Sequence, residues 1–394
     1  MIKYISKRVV QIVILLFIYV TIVYWLLEAM PGSFIDQYIM NPKITPEARE
    51  ALKKLFGYDK PAWERYLIYM KNFIKGDLGT SFAYYPKKVV DIIKERLPRT
   101  VFLFVTATLI SYTVGFNLGK RIAWRRGKVI DKVATFVGII FWTIFTPILA
   151  IFNIWLFAVI LKILPLNQFI NPALWRDAPF SSQEIFYKLL WSGFFIILGF
   201  AVAIVLSSSR KTIVAKKLSF WGILLGVIVA VLVWWSTAEY VDPTTGNVYK
   251  LGKFGGDIVA HMVLPILTLT MLSFAGSMLV MRDTMLEIIR EDYITTAKAK
   301  GLPDHVVRDK HAARNALLPL VTNFVISLGF TVSGGIITET MFSWPGMGLA
   351  YLEALNSQDI PLLVGLLVFT GIFVLFAHLI ADILYAFLDP RIRY

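Results

Sequence analysis

The chain has 394 residues, of which 57% are hydrophobic and 17% charged, and its mean hydropathy is +0.67. This composition excludes a soluble globular protein of this length and predicts an all-α polytopic membrane protein. The net charge of +14 does not indicate nucleic-acid binding, because the basic residues lie between apolar runs and not on one continuous surface. The absence of cysteine excludes disulfides and thiolate metal sites.

The N-terminal region combines one apolar run with a long segment of mixed charge. Val9–Leu27 carries no charge and follows three basic residues, so it is predicted to be an uncleaved first span whose N-terminus lies inside. Met30–Pro98 is predicted to be an external subdomain, with helical periodicity over Pro46–Phe56 and Ala62–Ile74. This segment contains P-G-S at Pro31, L-K-K-L-F-G-Y-D-K-P at Leu52, G-D-L-G-T-S at Gly76 and R-L-P-R-T at Arg96.

Four further apolar runs follow. Thr100–Gly119 is predicted to be the second span, and it ends in a basic inside loop. Val133–Leu161 is unusually long and is interrupted at Pro147, which predicts a kinked or tilted third span. Leu189–Leu206 and Leu218–Trp235 are separated by basic residues, so they are predicted to form a transmembrane hairpin with its turn inside.

Three more runs complete a count of eight spans with both termini in the cytoplasm. They are Ile258–Met281, which contains H-M-V-L-P at His261, then Ala316–Thr338 and Leu362–Ala381. Most Lys and Arg residues outside the long first loop lie in the predicted inside segments, which supports this orientation. The three short outside loops contain five basic residues, namely Lys162, Arg176, Lys188, Lys250 and Lys253.

A charged segment, residues 282–315, separates the sixth and seventh runs. Its basic residues place it on the cytoplasmic side: Arg282, Arg290, Lys298, Lys300, Arg308, Lys310 and Arg314. A short helix is predicted over Tyr293–Lys300, ended by Gly301 and Pro303. A second helix is predicted to begin near Asp304, an N-cap residue type, and to run through His311 and Arg314 toward the membrane. A small-residue face that another protein can approach is predicted from Thr295, Thr296, Ala297 and Ala299.

These motifs resemble one family. The charged segment contains Y-x-x-T-A-x-A-K-G-L from Tyr293 and H-A-x-R-N-A-L-x-P from His311, and E-T-M-F-S-W-P-G-M-G from Glu339 and Q-D-I-P from Gln358 follow outside. Together with the N-terminal motifs, they resemble the permease subunits of dipeptide/oligopeptide-type binding-protein-dependent ABC importers. The resemblance implies a type I importer core of six spans, with the hairpin as an insertion, since it does not cover roughly Ser181–Lys250.

The resemblance also implies that residues 282–315 are the coupling segment, or EAA loop, whose short helix inserts into a cleft on an ATPase subunit. The predicted coupling residues are Tyr293, Thr296, Ala297, Ala299, Lys300, Gly301, Leu302, His311, Arg314 and Asn315. The predicted organisation is a first span (1–30), an external subdomain (31–98), spans two and three (99–164), an external loop with the inserted hairpin (165–257), and the core with its coupling segment (258–394).

No phosphate-binding loop occurs in the chain, which therefore is not predicted to hydrolyse ATP. The nearest approach, G-F-N-L-G-K at Gly115, has the wrong spacing and lies at the end of a span. The resemblance implies that ATP and Mg²⁺ bind to two ABC ATPase subunits, that a second homologous permease completes the membrane part, and that an external substrate-binding protein delivers the solute. No cofactor is predicted in this chain, and its predicted location is the cytoplasmic (inner) membrane.

Peptides are the predicted solute, and alternating access is the predicted mechanism. Oligosaccharides, for example β-linked ones, are the alternative within the same architecture, and a secondary transporter or channel is the alternative of another class. The latter requires intramembrane carboxylates or an internal repeat, and the sequence shows neither convincingly.

Polar residues within the apolar runs have both a functional and a structural interpretation. Glu28 and Glu339 are candidates for a substrate or gate role, and His378 with Asp382 for a buried pair or proton relay. Hydrogen bonding between helices explains the others as well as a polar path does, namely Asn117, Thr143, Thr146, Asn153, Asn323 and Ser327. The histidines lack metal-ligand spacing. The substrate path therefore stays unassigned.

Overall fold

The chain is mostly helical. The computed structural model describes residues 2–29, 45, 47, 50, 54, 59–166, 168–208 and 213–388. Seven helices in these ranges are long and apolar enough to cross a membrane. They are α1 (Ile2–Glu28), α3 (Val89–Trp124), α7 (Ser182–Ser208), α8 (Ile213–Thr237), α9 (Leu251–Ile288), α12 (Ala313–Phe330) and α15 (Ile360–Leu388).

Shorter elements connect these helices. They are α2 (Ala62–Ile74), α4 (Val129–Thr143), α5 (Thr146–Asn153) with its π-helical continuation Ile154–Ile160, α6 (Pro172–Trp175), α10 (Asp292–Ala299), α11 (Asp304–Val306), α13 (Ile336–Met341) and α14 (Met347–Asn356). The strands β1 (Glu239–Val241) and β2 (Val248–Lys250) pair antiparallel, with Tyr240 opposite Tyr249.

The predicted third span is broken more sharply than a proline kink. Helices α4 and α5 with its π-helical continuation are apolar enough to cross a membrane together, but they bend by 104°. The break lies at Ile144 and Phe145, because Ile144 has an extended backbone and Thr146 begins the next helix. Pro147 thus stands in the first turn of α5, where its missing N–H costs no helical hydrogen bond. The pair is either one broken span or a re-entrant segment, which makes seven to eight candidate spans.

The predicted seventh run is not one continuous helix. Helix α12 ends at Phe330 and is followed by a 3₁₀ turn, Thr331–Ser333. Gly334 then adopts φ +70°, a left-handed conformation that favours glycine. The apolar residues beyond it form the separate helix α13, so the prediction of a single span to Thr338 is wrong.

A glycine pair brings α3 against α9. A Cβ on Gly115 would lie 2.0 Å from Ser277 Oγ and 2.8 Å from the main-chain N of Met278, and one on Gly119 would lie 2.6 Å from Met278 O. The two glycines stand four residues apart, so they face the same side of α3 and let the two backbones approach closely. The sequence that partly resembles a phosphate-binding loop is therefore a helix-packing motif.

The chain divides into two compact units. Unit 1 comprises residues 1–151 and 266–394, and unit 2 comprises residues 152–265. In unit 1, α1, α2 and α15 share a core of Val20, Leu27, Met70, Val364 and Val368, and α3, α14 and α15 share a second core that includes Val89, Ile92, Met347 and Leu362.

Unit 2 contains the helical hairpin and the β-hairpin. Gly199 of α7 lies against Val227 of α8, and Trp235 Nε1 donates to Ser192 Oγ at 3.0 Å. Aromatic rings form a second cluster, in which Phe254 lies 4.9 Å, centroid to centroid, from both Trp175 and Phe180. The sequence analysis did not predict the β-hairpin, whose strands have only three residues each.

Several sequence predictions fall outside the described residues. These are the P-G-S motif at Pro31, most of the predicted helix Pro46–Phe56 and of the motif at Leu52, and the basic turn at Arg210 and Lys211. The side chain of Asp382 and the C-terminal residues 389–394 also lie outside them.

Candidate functional site

Helix α10 is short because local signals limit it on both sides. Glu291 has an extended backbone and precedes the first turn, in which Asp292 adds a favourable negative charge. Gly301 ends the segment at φ +71°, and its N–H donates to Lys298 O at 2.9 Å. The predicted helix over Tyr293–Lys300 therefore agrees with α10 to within one residue at each end.

One face of α10 packs inward and the other is exposed. Ile294 and Ala297 are buried in a core with residues of α3, α9 and α12. Thr295, Thr296 and Ala299 are exposed. The predicted small-residue face is therefore wrong in one member, because Ala297 stands three residues from Ile294 and shares its inward direction.

The chain from α10 to α12 passes through a π-helical turn. Helix α11 begins at Asp304, so the predicted start of the second helix is confirmed, although its N-cap is Pro303 and not Asp304. A π-helical turn, Val307–Ala312, joins α11 to α12. Such turns are rare and occur often at functional sites.

Polar contacts hold residues 282–315 together and against the C-terminal end of α3. Asn315 Nδ2 donates to Tyr293 Oη at 2.7 Å, which joins two of the predicted coupling residues. Lys298 Nζ lies 5.3 Å from the ring centroid of Trp124, and Lys120 Nζ lies 3.5 Å from Asp309 Oδ1. The segment is thus tied both to itself and to a long helix.

The predicted coupling residues differ in exposure. Ala297 is buried and His311 is half-buried, whereas the other eight are exposed. Tyr293 and Leu302 are exposed large side chains, at 39% and 36%. Six of the exposed residues form the outer surface of α10 and the turn that follows it, and the other two, Arg314 and Asn315, lie in the first turn of α12.

A buried ion pair joins α9 to the start of α4. Arg282 Nε donates to Asp131 Oδ1 at 2.8 Å and Arg282 Nη2 donates to Asp131 Oδ2 at 3.2 Å, while the Gly127 N–H donates to Oδ2 at 3.0 Å. The side chain of Asp131 is 5% exposed. This bidentate contact was not predicted, because its partners are far apart in sequence.

We expect the Asp131–Arg282 pair to contribute a measurable coupling energy. A double-mutant cycle with Asp131→Ala and Arg282→Ala should give a coupling energy of about 1.5–3 kcal/mol in the free energy of unfolding of the assembled protein, because the contact is bidentate and the Asp131 carboxylate is buried. The exposed pair Lys60–Glu64, with side chains 41% and 39% exposed, is the control and should give at most about 0.5 kcal/mol. Equal coupling energies for the two pairs would contradict a special role of burial.

Two motif segments meet at Glu339. The Glu339 carboxyl accepts hydrogen bonds from Thr100 Oγ1 at 2.8 Å and from the Leu349 N–H at 2.9 Å, and its side chain is fully buried. Met347 N donates to Thr100 Oγ1 at 2.7 Å. The Glu339 carboxyl therefore accepts a hydrogen bond from a main-chain N–H that has no partner within the first turn of α14, and it links this turn to α3.

The remaining motifs outside the apolar runs also meet in pairs. Arg96 Nη2 lies 3.1 Å from Glu353 Oε2, and Trp344 Nε1 donates to Arg99 O at 3.2 Å. Asp359 of the Q-D-I-P motif accepts from Ser81 Oγ and, at 3.0 Å, from the Ala83 N–H. The segments recognised separately in the sequence thus form one packed cluster, in which Glu339 has a structural role.

Burial raises the pKa of Glu339 to about 7, although hydrogen bonds from Leu349 N–H and Thr100 Oγ1 favour the ionised form. Because the folded pKa is above the usual value, the folded state binds more protons than the unfolded state between about pH 4.5 and 7. Stability should therefore fall as pH rises through this window, by about 3 kcal/mol in total.

We expect thermal unfolding of the assembled protein to show this slope. The melting temperature should fall from about pH 5 to about pH 8 in the native chain, and Glu339→Gln should flatten the curve because glutamine does not ionise. Glu353→Gln, in the same cluster, is the control and should keep the slope because Glu339 is still present. An unchanged slope in Glu339→Gln would assign the pH dependence to other groups.

The other candidate residues have structural contacts. Glu28 forms an ion pair with Arg65, and the His378 ring lies 6.3 Å, centroid to centroid, from Phe330. Asn117 Nδ2 and Thr143 Oγ1 bond to main-chain oxygens one turn earlier in their own helices. Within the described ranges, no cluster of three His, Asp or Glu side chains has the geometry of a metal site.

Comparison with known proteins identifies the family. Residues 214–394 match the model of the inner membrane component of binding-protein-dependent transport systems, and residues 1–104 match the model of the N-terminal part of their membrane component. The chain is 30% identical to a dipeptide transport system permease protein, DppB, of Alkalihalophilus pseudofirmus, over the full length of both chains.

The chain belongs to the inner membrane permeases of binding-protein-dependent transport systems. This permease is also 27% identical to the oligopeptide transport system permease protein AppB of Bacillus subtilis over the full length of both chains. It is 29% identical to the DppB protein of Escherichia coli, over all of this chain and 99% of that one. The predicted family and the predicted inner-membrane location are therefore confirmed.

Proposed function

We propose that this permease is one of two membrane subunits of an ATP-driven importer for dipeptides and oligopeptides, working by alternating access. The observation that carries this proposal is the full-length similarity to permeases named for dipeptide and oligopeptide transport. These names favour peptides over oligosaccharides, and membership of a binding-protein-dependent family argues against a secondary transporter or channel.

The proposed assembly contains a second homologous permease, two ABC ATPase subunits that bind ATP and Mg²⁺, and an external binding protein. The coupling segment supports the ATPase contact. Helix α10 is anchored by buried Ile294 and Ala297, yet its opposite face and the residues around Gly301 are exposed. An anchored helix with a free face can receive a partner's motion and pass it to the helices that hold it.

The proposed topology has eight spans, both termini in the cytoplasm and the coupling segment on the same side. The concentration of Lys and Arg in residues 282–315 and 120–132 supports it. In this topology residues 31–98 form an external subdomain, residues 165–257 an external loop with an inserted hairpin, and the remaining ranges the first span (1–30), spans two and three (99–164) and the core (258–394).

Co-purification tests the proposal. A tagged chain extracted in mild detergent should bring two ATPase subunits and a second permease with it, and reconstituted complexes should hydrolyse ATP faster when a peptide-loaded binding protein is added. Calorimetry of that binding protein should show heat with short peptides and none with oligosaccharides. Transport by this chain without any ATPase subunit would refute the proposal.

A further inference from the structure

A cleft of about 450 Å³ lies within unit 1. It is lined by residues of α3, α4, α9 and α12, and all of these lining residues belong to unit 1. Its volume lies in the range of roughly 300–1,000 Å³ that is typical of small-molecule sites. None of its lining residues, all of them described, is Lys, Arg, Asp or Glu.

Four lining residues carry polar groups that no described residue satisfies. They are Thr108, Trp142, Ser273 and Asn323. Ser273 and Asn323 are exposed, as is Trp142 at 58%. By contrast, the lining residues Ser277 and Ser327 bond to main-chain oxygens, at 2.9 and 2.7 Å. The cleft thus combines satisfied and unsatisfied polar groups, one of the latter on each of its four helices.

Three of the unsatisfied groups lie at a similar depth. Each of the three lies nine or ten residues from a basic residue of its own helix, on the side that is predicted to face the cytoplasm. The basic residue is Arg314 for Asn323, Arg282 for Ser273 and Lys132 for Trp142. At a rise of 1.5 Å per residue, each group lies about 14 Å along the helix axis from that basic residue, which is roughly half of the 30 Å hydrocarbon core. In the proposed topology the three groups therefore lie near the middle of the membrane.

Such groups are costly against lipid. An amide or hydroxyl without a hydrogen-bond partner in an apolar medium costs several kcal/mol, so these side chains must face water or another polar surface. The position of Trp142 depends on Gly276, because a Cβ on Gly276 would lie 2.2 Å from a ring carbon of Trp142. The glycine lets the six-membered ring of the indole approach α9 closely at the edge of the cleft.

We propose that this cleft is the subunit's wall of the peptide path, where Asn323, Ser273 and Thr108 exchange hydrogen bonds with the amides of a passing peptide. The inference rests on the proposed function and extends it to a site. Neutral donors and acceptors suit a peptide backbone of any sequence, and the lack of charged lining avoids tight retention of its charged termini. A path must bind weakly enough to release.

Thiol labelling of the assembled transporter tests this directly, because the native chain has no cysteine. Asn323→Cys and Ser273→Cys are placed one at a time in the complex, in vesicles, and treated with a water-soluble maleimide. Val229→Cys, on α8 and 54% exposed, is the control for an apolar, exposed position. A thiol in water should react at least about tenfold faster than one in lipid, where thiolate formation is suppressed.

The expected result is fast labelling at Asn323→Cys and Ser273→Cys, slowed severalfold by a transported peptide together with its binding protein, and no such response at Val229→Cys. A labelling rate that is the same with and without the peptide would overturn the proposal in favour of a water-filled crevice outside the path. No labelling, with cross-linking to the second permease instead, would overturn it in favour of a subunit contact. Peptide-stimulated ATP hydrolysis by the complex that contains the native chain, measured in parallel, tests the proposed function separately.

Discussion

Replacing Gly301 with valine is expected to abolish peptide transport and the coupling of ATP hydrolysis to it, while the chain still inserts into the membrane. Gly301 has φ +71°, a conformation that costs a β-branched residue about 1–3 kcal/mol. The backbone can relieve this strain only by moving Lys300 and Leu302, which lie in the exposed surface that we assign to the ATPase contact. Transport should fall at least about tenfold, since 1.4 kcal/mol corresponds to that factor.

The structure offers a matched control for this substitution. Gly246, in the turn between β1 and β2, has φ +70°, and at both glycines a Cβ would meet no atom within 4 Å. Gly246→Val therefore introduces similar strain without touching the coupling segment, and transport should persist. Peptide uptake and ATP hydrolysis are measured on the same vesicles. Equal transport by the Gly301→Val and native complexes would remove the coupling role from this turn.

Replacing Gly115 with leucine is expected to prevent correct packing of α3 on α9. The added Cβ would meet Ser277 Oγ at 2.0 Å and the backbone of Phe274 and Met278 at 2.8 Å. A side chain can rotate away from such a contact, but a helix backbone cannot, so the two helices must separate. Overpacking of this kind costs typically 1–3 kcal/mol or more, and the amount of folded, monodisperse protein after detergent extraction should drop sharply.

Gly222→Leu is the control for the Gly115 substitution. Gly222 lies in the apolar helix α8, and a Cβ there would meet no atom within 4 Å. The two variants change helix propensity and hydrophobicity by the same amount, so a difference in yield reports the close helix contact. Similar yields of Gly115→Leu and Gly222→Leu would contradict the close approach of α3 and α9.

Local signals made part of the fold predictable. Helix α2 has the bounds Ala62–Ile74 that apolar periodicity predicted, and α10 ends where Gly301 and Pro303 stop a helix. Both depend on a few neighbouring residues. The long apolar runs also coincide with helices, because a backbone without water must satisfy its own hydrogen bonds.

Hydropathy could not locate the breaks within apolar runs. It treats Ile336 and Ile337 as a continuation of α12, yet the left-handed turn at Gly334 starts a separate helix there. Similarly, the third run breaks at Ile144, before the proline that signals it. Such breaks depend on backbone conformation, and the apolar content of the residues does not change across them.

Tertiary contacts explain what the sequence analysis missed at the candidate site. The motif pattern could not distinguish buried Ala297 from exposed Ala299, because the difference comes from the core that Ile294 enters. Glu339 was a gate candidate on account of its charge near an apolar run, but its partner Thr100 lies 239 positions away. The exposed unsatisfied side chains of the cleft are visible only when four helices are brought together.

The Glu339 cluster has a practical consequence for hybrid proteins. A chimera that takes residues 334–349 from a relative and keeps this chain's Arg99 and Thr100 would place a foreign residue 339 against the Thr100 hydroxyl. It would also place a foreign residue 344 against the Arg99 carbonyl oxygen. Grafts of this cluster should therefore carry residues 96–100 along with 334–349, and exchanging one part alone should yield less stable proteins than exchanging both.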